Sequence, residues 1–190
     1  MWITSDLSWS KNTKELCKKA YARISIITKL KYVGVSTEDL LEIFIIFIRS
    51  VLEYCCVVWH SSLTLEQKDD LELVQLVCLK VILGDNCVDY YAALEMTGLE
   101  ELPIRREAIC LSFAQKCTKH PKHQNKFSLN NPMEQVLLTG HLYQLRGREL
   151  FTENFARTAH YQKSAIPYLQ RLLNKHADKH NQPPQEFLSL

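Results

Sequence analysis

The chain has 190 residues, 46% of them hydrophobic and 23% charged, enough apolar side chains for a sizeable core, which excludes a disordered chain. The length allows one domain with a tail or two small domains. The formal net charge of +2 hides an asymmetry: residues 1–35 carry 7 Lys or Arg against 2 acids, residues 36–107 carry 5 against 14, and residues 108–190 carry 11 against 5.

Helical periodicity dominates, punctuated by only 5 Gly and 6 Pro, and predicts an all-α protein. Residues 1–15 hold neither an apolar signal run nor an Arg-rich, acid-free transit pattern, so no targeting segment is expected. A first helix is predicted from Trp9 to Tyr32, stopped by Gly34. Ser36 or Thr37 caps a second, expected to run from Asp39 to near Trp59. Its stretch from Leu40 to Trp59 is long enough to cross a membrane, which needs ~20 apolar residues. Yet Glu42, Arg49 and Glu53 lie inside it, and a central charge costs roughly 2.5 to 3.5 kcal/mol on insertion. The three fall within about 40° of one another at 100° per residue, with His60 on the same line. The expectation is a core helix with one polar stripe and Phe47 buried near its middle, and no membrane partner.

Thr64 and Gln67 form a capping box for a third helix, with Leu71, Val74, Cys78 and Ile82 on its apolar face, ended by Gly84-Asp85-Asn86. A short helix over "VDYYAALEMTG" follows, and Pro103 opens another that runs to Lys119. From His120 to about Thr158 the chain is polar, with no sustained apolar period, and reads as an extended or partly disordered arm. Ile166, Leu169, Leu172 and Leu173 then mark a short terminal helix. The expected organisation is a helical domain over residues 1–119, an irregular bundle of about five helices, and a polar arm with a short C-terminal helix over residues 120–190.

The candidate chemistry is thin. Asp69-Asp70 sits within a helix and reads as a solvated face, since no strand or turn aims both carboxylates at one metal. Cys117, His120 and His123 match no standard zinc spacing. Cys55-Cys56 near His60 read as inert core thiols, and seven Cys without a secretory segment point to reduced thiols in an intracellular protein, cytoplasmic or nuclear. No Gly-rich phosphate loop is present, and no metal, cofactor or small-molecule substrate is expected.

The first helix carries more information. Lys11, Lys14, Lys18 and Lys29 project within about 60° of arc, while Leu16, Ala20, Ile24 and Ile27 occupy the other side. Such a face can track a phosphate backbone; it can equally be a solvated Lys face answering the acidic middle, as an intramolecular or protein partner would.

The runs "WITSDLSWSKNTKELCKKAYARISIITKLKYVGV", "FIRSVLEYCCVVWH", "LELVQLVCLKVIL" and "YYAALEMTGLEELPIRREAICLSFAQK" resemble the C-terminal part of reverse transcriptases of LINE-like, non-LTR retrotransposons of the Jockey-related group. The tail "FARTAHYQKSAIPYLQRLLNK" is similar to the end of such reading frames. The most specific pieces are Arg49-Ser50 with Leu52-Glu53-Tyr54 and Trp59, and Thr97-Gly98-Leu99 with Arg105-Arg106-Glu107.

The resemblance implies a helical thumb and C-terminal segment without the palm, whose aromatic-x-Asp-Asp motif holds catalytic magnesium and is missing from this sequence. It therefore implies a non-catalytic chain whose ancestral task was to grip an RNA-DNA or DNA primer-template duplex. The chain departs from the family after Gln75, where Leu76 and Val77 stand in place of basic residues, which weakens a claim of nucleic-acid contact for the third helix. The alternative expectation is a non-catalytic helical protein-interaction module derived from a retroelement.

Overall fold

The computed structural model describes residues 1–5, 8–127, 151–153 and 155–181. The fold is all-α, an irregular helical bundle. The chain divides into two compact units, Met1–Ile109 and Cys110–Leu190, a division that falls ahead of the Lys119–His120 boundary read from the sequence. Among the described residues, no helix is long and apolar enough to cross a membrane.

In the first unit, α1 (Ser10–Tyr32) buries Leu16, Ala20, Ile24 and Ile27, the apolar side read from its periodicity. Gly34, at φ +91°, ends the helix in a conformation that disfavours any side chain.

The predicted long second helix is broken into pieces. The Ser36 hydroxyl accepts from the Asp39 amide at 3.1 Å and opens α2 (Thr37–Ile43). A π-helical segment, Phe44–Arg49, and then α3 (Ser50–Glu53) continue it. The π segment and the turns beside it line up Phe44, Ile48 and Leu52, all fully buried, as one row facing the core. Ile46 faces away, 72% exposed, and Phe47 is 37% exposed, so the expected burial of Phe47 does not hold. Phe47 is instead capped from outside by Arg23, whose guanidinium carbon stands 4.2 Å from the ring centroid.

The run to Trp59 then stops. Cys55 takes a left-handed conformation, φ 52°, before α4 (Cys56–Trp59) and a 3-10 turn, His60–Ser62. A non-glycine residue there costs about 1 kcal/mol or more. The reorientation offsets that cost by placing Cys56 and Trp59 in the core, each 1% exposed. The carbonyl of Tyr54, released by the break, accepts from the Trp59 indole N–H at 3.0 Å. The break also separates His60 from the stripe of Glu42, Arg49 and Glu53; Glu42 is exposed while His60 is buried.

Helix α5 (Leu65–Leu83) starts on the predicted capping box, with Thr64 Oγ1 accepting from the Gln67 amide at 3.3 Å and Gln67 Oε1 accepting from the Thr64 amide at 3.1 Å. Leu71, Val74 and Cys78 are fully buried and Ile82 nearly so. With α1, the π segment and α3 they form the main core. Asp89 caps α6 (Tyr90–Thr97), which ends at Gly98, φ +66°, and packs Ala93 and Leu94 against Leu79. Pro103 lies in the first turn of α7 (Leu102–Lys119), where its missing N–H costs nothing.

In the second unit, α8 (Ala159–Gln162) precedes α9 (Ala165–Asn181), the terminal helix expected on the segment that holds Ile166, Leu169, Leu172 and Leu173. Leu169, Leu172 and Leu173 are buried as read from the sequence, and Ile166 is partly exposed. The Asn174 amide brackets the backbone of Phe151, accepting from its N–H at 2.8 Å and donating to its carbonyl at 3.1 Å. Gln170 Nε2 donates to the Lys126 carbonyl at 2.7 Å. Much of the predicted polar arm, residues 128–150, lies outside the described residues.

Candidate nucleic-acid interface

Lys11, Lys14, Lys18 and Lys29 all stand exposed on α1, opposite its buried side. Among the described residues none of the four forms an ion pair, so the acidic middle of the chain does not draw them in. Their placement also runs against helix electrostatics at one end. No acid lies in the first turn of α1, where Lys11 meets the positive pole of the helix at a cost of roughly 0.3 to 1 kcal/mol. Lys29, in the last turn, is favoured there.

The segment before α1 adds a residue that periodicity does not reveal. The Trp2 amide donates to Oδ1 of buried Asn12 at 3.1 Å, and the indole comes under Lys11, whose Nζ stands 4.4 Å from the ring centroid. This cation-π contact leaves Trp2 50% exposed at the start of the lysine row. Lys31 is turned the other way and donates to the Val81 carbonyl at 2.8 Å, holding α1 to α5.

The remaining polar groups of interest serve the fold. Glu53 Oε1 lies 3.5 Å from Arg49 Nε and 3.3 Å from Arg105 Nε, one carboxylate joining α3 to α7. Arg106 is fully buried, its guanidinium carbon 5.7 Å from the Trp59 ring centroid and its Nε 3.4 Å from His60 Nδ1. Burial, and then the Arg106 charge, push His60 down to about 4, so the imidazole is neutral at physiological pH. Glu72 accepts from the Tyr90 hydroxyl and from the Leu102 amide, and Gln75 Nε2 donates to the Tyr90 hydroxyl at 2.9 Å and to the Glu100 carbonyl at 3.0 Å. That network stitches α5 to α6 and to the start of α7. Burial pushes both Glu72 and Tyr90 up, toward their neutral forms.

The other candidates do not assemble into sites. Asp69 and Asp70 are exposed on α5. Cys117 is buried while His120 and His123 stack on the surface with ring centroids 5.0 Å apart, and among the described residues no group of three His, Cys, Asp or Glu is placed to hold a metal. Cys56 is buried, but Cys55 is exposed, which corrects its expected place in the core.

The class defined so far is an all-α protein with a one-sided lysine row on its first helix. No protein-family model, curated protein or solved structure matches the chain.

Proposed function

We propose that this chain is the thumb-like and C-terminal part of a non-LTR retrotransposon reverse transcriptase, non-catalytic by itself, that holds a nucleic-acid duplex through the phosphate-facing lysines of α1. The observation that carries the reading is the exposure of Lys11, Lys14, Lys18 and Lys29 on one side with no ion-pair partner among the described residues. Consistent with a shared scaffold, the residues behind the resemblance have structural work to do. Arg49, Glu53 and Arg105 share an ion network, Leu52 and Trp59 are core, Gly98 ends α6 in the left-handed region, and Arg106 underlies Trp59. A polymerase site would need the palm's paired aspartates, and the sequence has no aromatic-x-Asp-Asp run. The purified chain should therefore show no primer extension.

The test of the duplex reading is salt. Binding to an RNA-DNA hybrid should weaken with a log-log slope of about −0.9 per phosphate neutralised, or roughly −3 to −4 for four contacts. Replacing Lys11, Lys14 and Lys18 together by Gln should flatten it by about two to three. Gln is nearly as good a helix former as Lys, so the fold is kept. An unchanged slope acquits the lysines. No hybrid binding at low salt favours the second reading, a protein-interaction module, for which the specific observation is Ile46, 72% exposed next to half-covered Phe47.

A further inference from the structure

The lysine row is bordered by aromatic side chains that a duplex grip does not require. Trp2 is 50% exposed under Lys11, Tyr21 is 40% exposed and Tyr32 is 93% exposed. Tyr32 follows Lys14 by eighteen residues, five helical turns, so the two lie on one line along α1; Lys11 and Lys29 are related in the same way. Tyr21, seven residues after Lys14, lies at the edge of that line. Over about 30 Å of helix, at ~1.5 Å per residue, the row runs Lys11, Lys14, Lys18, Tyr21, Lys29 and Tyr32, with Trp2 docked at its start.

Resting on the reading above, we infer that this face takes a single-stranded nucleic acid, with Trp2, Tyr21 and Tyr32 stacking on unpaired bases while Lys11, Lys14, Lys18 and Lys29 neutralise its phosphates. The chemistry separates this ligand from a duplex. In a duplex the faces of the bases are covered by their neighbours, and an exposed ring meets only sugar and phosphate. In a single strand every base offers a π-face, and stacking is sequence-tolerant. A lone exposed aromatic is ordinary on a protein surface; three along one lysine row put base-stacking and phosphate-binding groups on the same face. Glu15 is the one acid in α1, and the Asp70 charge is felt at Tyr21, which places the limit of the row on that side.

The test uses the full chain and three ligands of equal length, roughly 12 nucleotides, within the span of about 4 to 16 that single-strand-binding folds cover. These are oligo-U, oligo-dT and an RNA-DNA hybrid. Trp9 and Trp59 are buried, 7% and 1% exposed, so quenching of emission on binding reports mainly on Trp2. Both single strands should quench it and bind at least as tightly as the hybrid at matched salt. Tyr32→Ser should weaken single-strand binding about tenfold and leave hybrid binding unchanged, and Trp2→Ala should weaken single-strand binding by more than it weakens hybrid binding. Tyr32 is so exposed that its replacement cannot disturb the core. Equal affinity for oligo-U and oligo-dT is expected, because stacking and phosphate contacts do not read the sugar; a strong preference for one would overturn stacking as the main contact. Lysine-dependent hybrid binding with silent aromatic variants would overturn this inference and leave the duplex reading standing. No binding of any ligand would end both.

Discussion

Arg105 Nε stands 3.3 Å from the same Glu53 oxygen that Arg49 Nε approaches at 3.5 Å, although Arg105 and Glu53 are 52 residues apart in the chain. Arg49 and Glu53 are 12% and 15% exposed in their side chains, and Arg105 is 42%. Glu53→Gln leaves the well-covered Arg49 without its carboxylate and should cost about 2 kcal/mol. Arg105→Gln removes only the outer partner and should cost less than about 1 kcal/mol. Urea denaturation midpoints decide this; equal costs would mean that the shared carboxylate adds nothing beyond a surface pair.

The π-helical segment sets a sharp contrast between neighbours. Phe44 is fully buried, so Phe44→Asp places an unpaired carboxylate in the core, at several kcal/mol against a total stability of about 5 to 15. Phe47→Asp, three residues on, puts its carboxylate at the surface beside Arg23 and should cost about 1 kcal/mol, mostly the lost ring contact. Circular dichroism should show the first variant unfolded at room temperature and the second folded. Equal damage would mean that the helical phase in this segment is not the one described.

His60 makes the fold sensitive to mild acid. Its value falls from 6.5 to about 4 on folding, so the unfolded chain binds more protons in that window. Stability is full above about 6.5 and is lost as pH falls toward about 4, by up to about 1.4 kcal/mol per pH unit from this residue. Arg106 and Lys68 oppose protonation and Glu107 favours it. Glu72, pushed up by burial, acts in the opposite sense. His60→Gln should flatten the decline of urea midpoint between pH 6.5 and 4; an unaltered decline would assign it to other groups.

The cysteines should differ in reactivity. Cys55 is exposed, whereas burial pushes Cys78 up to about 12 and, with help from Asp70, Cys17 up to about 11. Native alkylation near pH ~8 should label Cys55 first and half-buried Cys87 next, with Cys17 and Cys78 protected until the protein unfolds. Mass spectrometry of digested samples reads this directly. Labelling of Cys78 as fast as Cys55 would mean that α5 opens readily.

What the sequence by itself determines about this protein is local. The Thr64 and Gln67 capping box and the spacing of Leu71, Val74, Cys78 and Ile82 lie within one or a few turns, and α5 forms as they predict. The two sides of α1 are legible for the same reason, and with them the exposure of Lys11, Lys14, Lys18 and Lys29. Tyr21 and Tyr32 share that periodicity and could be read from it too, seven and eighteen residues after Lys14. Other features were decided only by tertiary structure. Nothing local asks Cys55 for a left-handed backbone; burial of Trp59 and its bond to the Tyr54 carbonyl do. Trp2 reaches Lys11 because Asn12 holds its amide, and Arg105 reaches Glu53 because α7 returns to α3. Periodicity records which way a side chain leaves its own helix, whereas a break, an ion pair or a docked ring is selected by the free energy of burying groups far apart in the chain.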